Sequence, residues 1–287
     1  MSTPLYPQRL AAWLPQQHED WHKYHFGHVL VIAGSSGFYG AAVHCALSAL
    51  RAGAGLVTVA VEDKLHEYLP LHYPDLMTWC LPARTQAWPV AELCQKLRER
   101  KVNTVLLGPG LGRDEATVVG VRSILSELAQ QSIKVVVDAD ALLALRGWTQ
   151  TIQGPWVVTP HEGEAKRMFA VENLKLAAVS DWVHQTGIIC VLKHPKISIF
   201  NENGEVFDNI SGNAALAKAG TGDVLAGLTA GLLAQGCTAF QAAALASYLH
   251  GRAAEVWCQQ GRAARSLLAS DLLDIVPQVL HELARYA

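Results

Sequence analysis

The chain has 287 residues, of which 51% are hydrophobic and 17% charged, and its formal net charge is −2. That composition supports a large buried core and excludes intrinsic disorder. The near-neutral balance, without a basic run, excludes nucleic acid and an anionic membrane surface as expected partners.

Short apolar runs at 29–33, 56–61, 104–107, 134–137, 156–158 and 188–192 are β-branched and continuous rather than alternating. Runs of that kind predict strands buried on both faces. Between them, helical periodicity predicts helices at 41–52, 115–130, 163–169 and 174–186, with Gly53 closing the first as a C-terminal cap. The alternation predicts an α/β fold, a mainly parallel sheet covered by helices on both faces. A hairpin is expected where 197–200 and 205–207 flank Asn201-Glu-Asn-Gly204. Beyond residue 223 the pattern is all-helical, at 223–234, 239–260 and 270–284. The proline-rich stretch 68–88 reads as a long edge loop. No repeat or linker interrupts the chain, so one domain over 1–287 is expected.

The six cysteines (45, 80, 94, 190, 237 and 258) include no Cys-x-x-Cys pair, and most sit in apolar surroundings. Reduced core thiols in a cytoplasmic protein follow. Residues 1–15 lack the pattern of a signal peptide, and no uncharged apolar stretch has the roughly 18–20 residues of a membrane span.

The segment 213–227 carries the most chemistry. Gly220-Thr221-Gly222 can form a turn with its backbone N–H groups aligned, leading into an apolar helix predicted to start near Asp223. A helix N-terminus of this kind attracts anions. Asp223 would repel a phosphate, which suits a base that takes a proton from a hydroxyl attacking phosphorus. An aspartate in this position also caps helices, so at this level both readings stand.

Other strand ends carry glycine or charge. Gly34–Gly40 has the spacing G-x-x-G-x-x-G rather than a dinucleotide fingerprint, and Gly108-Pro-Gly-Leu-Gly112 follows the third apolar strand in the same manner. Asp138 and Asp140 end a strand at a spacing of two, which predicts that both point to one side. Either they line a site or they cap the next helix. Thr159-Pro-His161-Glu-Gly-Glu164 is no His-Glu-x-x-His zinc motif, because Ala165 stands where the second histidine would be. It lines a site or opens a helix. Lys193 reaches a phosphate or is a solvated strand-end lysine. The run 212–218 lacks the second glycine of a P-loop.

In their order these motifs resemble the ADP- or ATP-dependent NAD(P)H-hydrate dehydratase family of the ribokinase-like superfamily. The resemblance rests on 29–34 with Tyr39-Gly-Ala-Ala42, 51–59, 108–113, Asp138-Ala-Asp-Ala-Leu142, 159–164, Leu192-Lys193 and 212–227. It implies a three-layer αβα sandwich and a free-standing dehydratase that repairs hydrated NADH or NADPH, consuming ADP, or ATP as the alternative donor, with Mg²⁺. Under it Asp223 is the base, and the amides of Gly220, Thr221 and Gly222 hold the transferring phosphoryl group. Ala41, Gly112, His161 and Asp223 contact the hydrated cofactor, with Glu164 beside them. Lys193, His194, Pro195, Lys196 and Ile197 flank the nucleotide together with Asn213 and Gly222. It further implies a homo-oligomer acting alongside a separate epimerase. Metal ligands are not assigned. The family's Lys-Gly-x-x-Thr appears here as Lys193-His-Pro-Lys-Ile197, its His-Lys-Gly as His22-Lys23-Tyr24, and its Asn-Pro-Gly as Asn213-Ala-Ala. Two rival readings are a vitamin-precursor kinase on the same fold and a catalytically silent nucleotide-binding module.

Overall fold

The structure, a computed structural model, describes residues 2–81, 88 and 90–286, without the side chains of 62–64. A mixed sheet of 10 strands organises it, in the order β1-β10-β9-β8-β7-β6-β5-β2-β3-β4. These are β1 (Thr3–Leu5), β2 (His28–Ile32), β3 (Leu56–Glu62), β4 (Met77–Leu81), β5 (Thr104–Leu107), β6 (Lys134–Val137), β7 (Trp156–Val158), β8 (Ile189–Leu192), β9 (Ser198–Phe200) and β10 (Val206–Asn209). From β4 to β8 every pairing is parallel, while β9 pairs antiparallel with both β8 and β10.

Strand side chains alternate between two cores. Val29 and Val31 of β2 enter one core, Leu30 and Ile32 the other. The first core is built against α1 (Pro7–Ala11), α2 (Tyr39–Arg51), α3 (Asp63–His72), α8 (Thr221–Ala234), α9 (Ala239–Gln259) and α10 (Ala269–Ala284). The second is built against α4 (Val90–Glu99), α5 (Glu115–Leu128), α6 (Glu162–Phe169) and α7 (Leu176–Thr186). With both faces covered, the strands have no polar side, so their sequences run continuously apolar. The predicted strands and hairpin are present. In the hairpin the Asn201 side-chain oxygen accepts from the N–H groups of Asn203 and Glu205.

The stretch 68–88 is corrected. It contains the end of α3 and all of β4, while 82–87 lie outside the described residues. Pro70 lies inside α3, where it supplies no N–H to the His66 carbonyl four residues back. The Thr78 hydroxyl, on β4, donates to that carbonyl instead (3.4 Å). A helix thus tolerates a proline that the sequence reads as a breaker.

The helix α8 is central, buried almost all round and packed over β6, β5 and β2. It meets α2 along a seam of glycines. A Cβ added at Gly227 would lie 1.9 Å from the Ser48 Oγ, and one at Gly231 2.5 Å from the Ala49 carbonyl. Only glycine permits that approach. No described helix is long and apolar enough to cross a membrane. All six cysteines are free thiols, as expected.

Candidate active site

Five strand ends and the start of α8 meet at the carboxyl edge of the sheet. Between β2 and β5 the winding reverses direction, the position at which open α/β sheets form a crevice. The loops there are tied together. The Gly34 N–H donates to the Pro109 carbonyl (2.8 Å), and the Ser35 hydroxyl to the Gly110 carbonyl (2.6 Å). Ala41 faces the same loop, because a Cβ at Gly110 would be 3.2 Å from its methyl.

The two aspartates after β6 do not share a side as expected. Ala139 takes a left-handed conformation (φ 52°), which breaks the strand periodicity between them. Asp138 is buried and accepts from the Lys193 ammonium (2.9 Å). Asp140 accepts instead from the Gly112 N–H (2.9 Å) and the Arg113 guanidinium (2.7 Å). Asp138 makes no side-chain cap to the following 3₁₀ turn. Gly112 is therefore held by a carboxylate, which fixes the loop beside Ala41.

Lys193, the residue after β8, is no solvated lysine. It sits between Asp138 and Glu164, whose Oε2 is 4.0 Å away. Burial alone would lower its ammonium, but Asp138 and Glu164 outweigh that and hold it above its ordinary value. Its Nζ lies 3.3 Å from where a Gly222 Cβ would be. The lysine thus bridges the acid pair and the start of α8.

His161 and Glu164 are joined in a capping box at the start of α6. The Glu164 N–H donates to the His161 ring (3.2 Å), and the His161 N–H donates to the Glu164 carboxylate (2.8 Å). The segment opens a helix, and it places Glu164 4.0 Å from the Lys193 ammonium.

At α8 the expected start is corrected by two residues. Gly220 caps the helix in the left-handed conformation (φ 86°), and the helix begins at Thr221. Thr221 turns its hydroxyl inward to the carbonyls of Leu216 and Lys218. Asp223 therefore occupies the third helical position and caps nothing, which removes the capping reading. Among the described residues, the N–H groups of Gly222 and Asp223 have no acceptor, and no donor reaches the Asp223 carboxylate. Burial first, then the charge of Asp138, push that carboxyl from 3.8 up to about 7, while Lys193 pulls against them. A carboxyl raised to about 7 and set beside two free amides has the chemistry to accept a proton from a group next to an anion.

Beside this centre opens a cavity of about 930 Å³, toward β8–β10. Lys193, His194, Pro195, Lys196, Ile197, Asn213 and Gly222 all line it, so the expected nucleotide residues converge. His194 is anchored to the Ser198 hydroxyl (3.1 Å). The Asn213 amide is already committed, donating to the Ala254 carbonyl and accepting from the Ala215 N–H. What it gives the cavity is shape. The sequence reading missed His250 of α9, which lines the cavity with both ring nitrogens buried and unbonded. Burial lowers its imidazole to about 4, despite the nearby Thr221 carbonyl, so the ring is neutral. A histidine directly after the uncharged run 242–249 was the available signal.

A mostly parallel sheet covered by helices on both faces is the architecture of ribokinase-like proteins, and a ribokinase-like superfamily protein of Enterococcus faecalis superposes with a TM-score of 0.83 at 27% identity. The model of a family described as NAD(P)H-hydrate dehydratase matches residues 29–278. A bifunctional NAD(P)H-hydrate repair enzyme of Moorella thermoacetica is 38% identical over 99% of this chain, which spans 56% of that relative's length. The ADP-dependent (S)-NAD(P)H-hydrate dehydratase of Bacillus subtilis is 32% identical, with 97% of this chain and 98% of the relative covered. A crystal structure of the B. subtilis ADP/ATP-dependent enzyme, co-crystallized with ATP/Mg²⁺, superposes with a TM-score of 0.81 at 28% identity, covering 99% of each chain. This chain belongs to the NAD(P)H-hydrate dehydratase family.

Proposed function

We propose that the protein dehydrates the S form of hydrated NADH or NADPH, converting ADP to AMP and phosphate. The observation that carries this reading is the unpartnered Asp223 carboxylate beside the free amides of Gly222 and Asp223. ADP occupies the cavity lined by Lys193–Ile197, with its terminal phosphate at the start of α8. The hydrated ring lies by Ala41, Gly112 and His161 with its hydroxyl toward Asp223. Asp223 takes the hydroxyl proton as the oxygen bonds to the terminal phosphorus, and the bond to the departing AMP breaks. The two amides and Lys193 hold the charge on the transferring group. Phosphate then leaves from the ring carbon, a ring proton is lost, and the dihydronicotinamide double bond is restored.

Among the described residues no cluster of three or more metal-ligating side chains exists. That suits Mg²⁺ arriving on the nucleotide phosphates, since Mg²⁺ keeps its waters and uses few protein carboxylates. Asp138 and Glu164, facing Lys193, would hold it through water, and when bound it neutralises phosphate charge. A cytoplasmic location, a homo-oligomeric state and a separate epimerase as supplier of the S form belong to the same reading.

The test combines the protein with hydrated NADH, Mg²⁺ and either ADP or ATP and follows the dihydronicotinamide absorbance. Recovery with release of phosphate is expected. A stable phosphorylated product without recovery would make the protein a kinase, and no reaction with either nucleotide would make it a silent binding module.

A further inference from the structure

The donor cavity opens on the β8–β10 side of α8, while α3 lies over β3 and β4, beyond β2 on the other side. Phosphoryl transfer sets the attacking and leaving oxygens roughly in line, so the acceptor approaches from the α2–α3 side. There a second cavity of about 580 Å³ separates α2 from α3. Both helices begin at the sheet edge that carries Asp223, since each is the element next after a parallel strand, α2 after β2 and α3 after β3.

This cavity is joined to the reaction centre through its own wall. His44 lines it and also abuts the phosphoryl loop, 3.2 Å from where a Gly220 Cβ would be. Gly40 lines its mouth, immediately before Ala41, and a Cβ there would meet nothing within 4 Å. From Ala41 to the pocket is therefore about one helical turn, roughly 5 Å, a span that a dinucleotide exceeds several times over. Tyr39, Tyr68 and Tyr73 supply aromatic walls with hydroxyl groups, over a floor that includes Leu69. Tyr68 is 51% exposed, yet its ring is held flat by stacking on His72, with centroids 3.9 Å apart and planes 18° apart. None of the lining side chains carries a fixed positive charge, and burial lowers His44 toward neutrality. The walls suit a planar uncharged base with polar edges and do not suit a phosphate.

We propose that the α2–α3 pocket receives the adenosine end of the hydrated dinucleotide, with its base against Tyr68. This assignment rests on the dehydratase reading. Donor and acceptor then reach Asp223 from opposite sides, each held by its own cavity.

The test compares hydrated NADH with hydrated reduced nicotinamide mononucleotide, which has the same ring but no adenosine. Tyr68→Ala is expected to raise KM for hydrated NADH about tenfold, within the range one stacked base contributes. It should leave KM for ADP unaltered and KM for the mononucleotide equal to that of the wild type. Gly40→Leu, whose Cβ would meet nothing within 4 Å, should give the same selective loss. Equal effects on both substrates, or none on either, would overturn the assignment. So would a change in assembly mass by light scattering with KM unaltered, which would make the pocket a subunit contact. Wild-type protein that restores no absorbance from hydrated NADH would instead remove the dehydratase reading itself.

Discussion

Replacing Asp223 with asparagine separates the stability of the site from its chemistry. The carboxyl is pushed from 3.8 to about 7, by burial first and then by Asp138. Its folded-state value is raised, so between these limits the native state binds a proton that the unfolded chain does not. The stability this carboxyl contributes is therefore complete below pH 3.8 and falls as pH rises toward 7. At 1.36 kcal/mol per tenfold, the ionised carboxylate costs the fold at most about 4 kcal/mol above neutrality. Asparagine cannot ionise, so Asp223→Asn should melt several degrees higher than wild type at pH 8 and no higher at pH 4. The same variant should lose about 10²- to 10⁴-fold in kcat, the range of a general base, and still bind ADP. Differential scanning calorimetry at the two pH values, beside the absorbance assay and ADP titration, reads all three quantities. Turnover within tenfold of wild type would refute the role as base. An equal melting difference at both pH values would refute the account of the raised carboxyl.

Wild-type kcat/KM should climb about tenfold between pH 6 and 8, as a base of about 7 goes from mostly protonated to mostly ionised; a flat profile would exclude Asp223 as the titrating group. Lys193→Met removes the charge that opposes protonation of Asp223, so the profile should shift to higher pH. It also strands buried Asp138, at a cost of about 3–5 kcal/mol in denaturant unfolding. His250 is lowered from 6.5 to about 4 by burial. The stability this neutral ring contributes is complete above pH 6.5 and is lost as pH falls through 4, up to about 3 kcal/mol. His250→Leu should flatten that part of the acid-unfolding curve. Gly227→Ala drives a methyl group into Ser48 and the Cys45 carbonyl and should destabilise by about 1–3 kcal/mol, read by urea unfolding.

The central strands were legible because burial on both faces leaves an uninterrupted β-branched run, as in Val135–Val137. At the site, Lys193–Ile197, Asn213 and Gly222 were expected together and converge on one cavity. The failures have local causes. α3 and β4 were hidden because Pro70 reads as a breaker, whereas the Thr78 hydroxyl supplies a donor to the carbonyl the proline leaves free. The shared orientation of Asp138 and Asp140 assumed an unbroken strand, whereas Ala139 adopts a left-handed conformation that the sequence does not announce. The ambiguity over Asp223 was resolved by Gly220, whose left-handed cap starts the helix early and leaves the carboxylate without a capping role. β1, α1 and α4 were not anticipated; β1, at three residues, is too short for a periodic signal.

The seam at Gly227 and Gly231 divides the molecule into parts that can change and parts that cannot. Backbone contact joins α2 to α8 at this seam, where not even a methyl group has room, and Ala41 and Asp223 stand on the two helices so joined. The segment His194–Ile197 and the helix α3 stand outside that seam. Substitutions there leave the glycine contacts of the seam untouched. The departures from the family's Lys-Gly-x-x-Thr at His194 and Ile197 lie outside that seam, whereas Asp223 lies on α8, so residues 194–197 are the place at which to alter the nucleotide that the proposed reaction accepts.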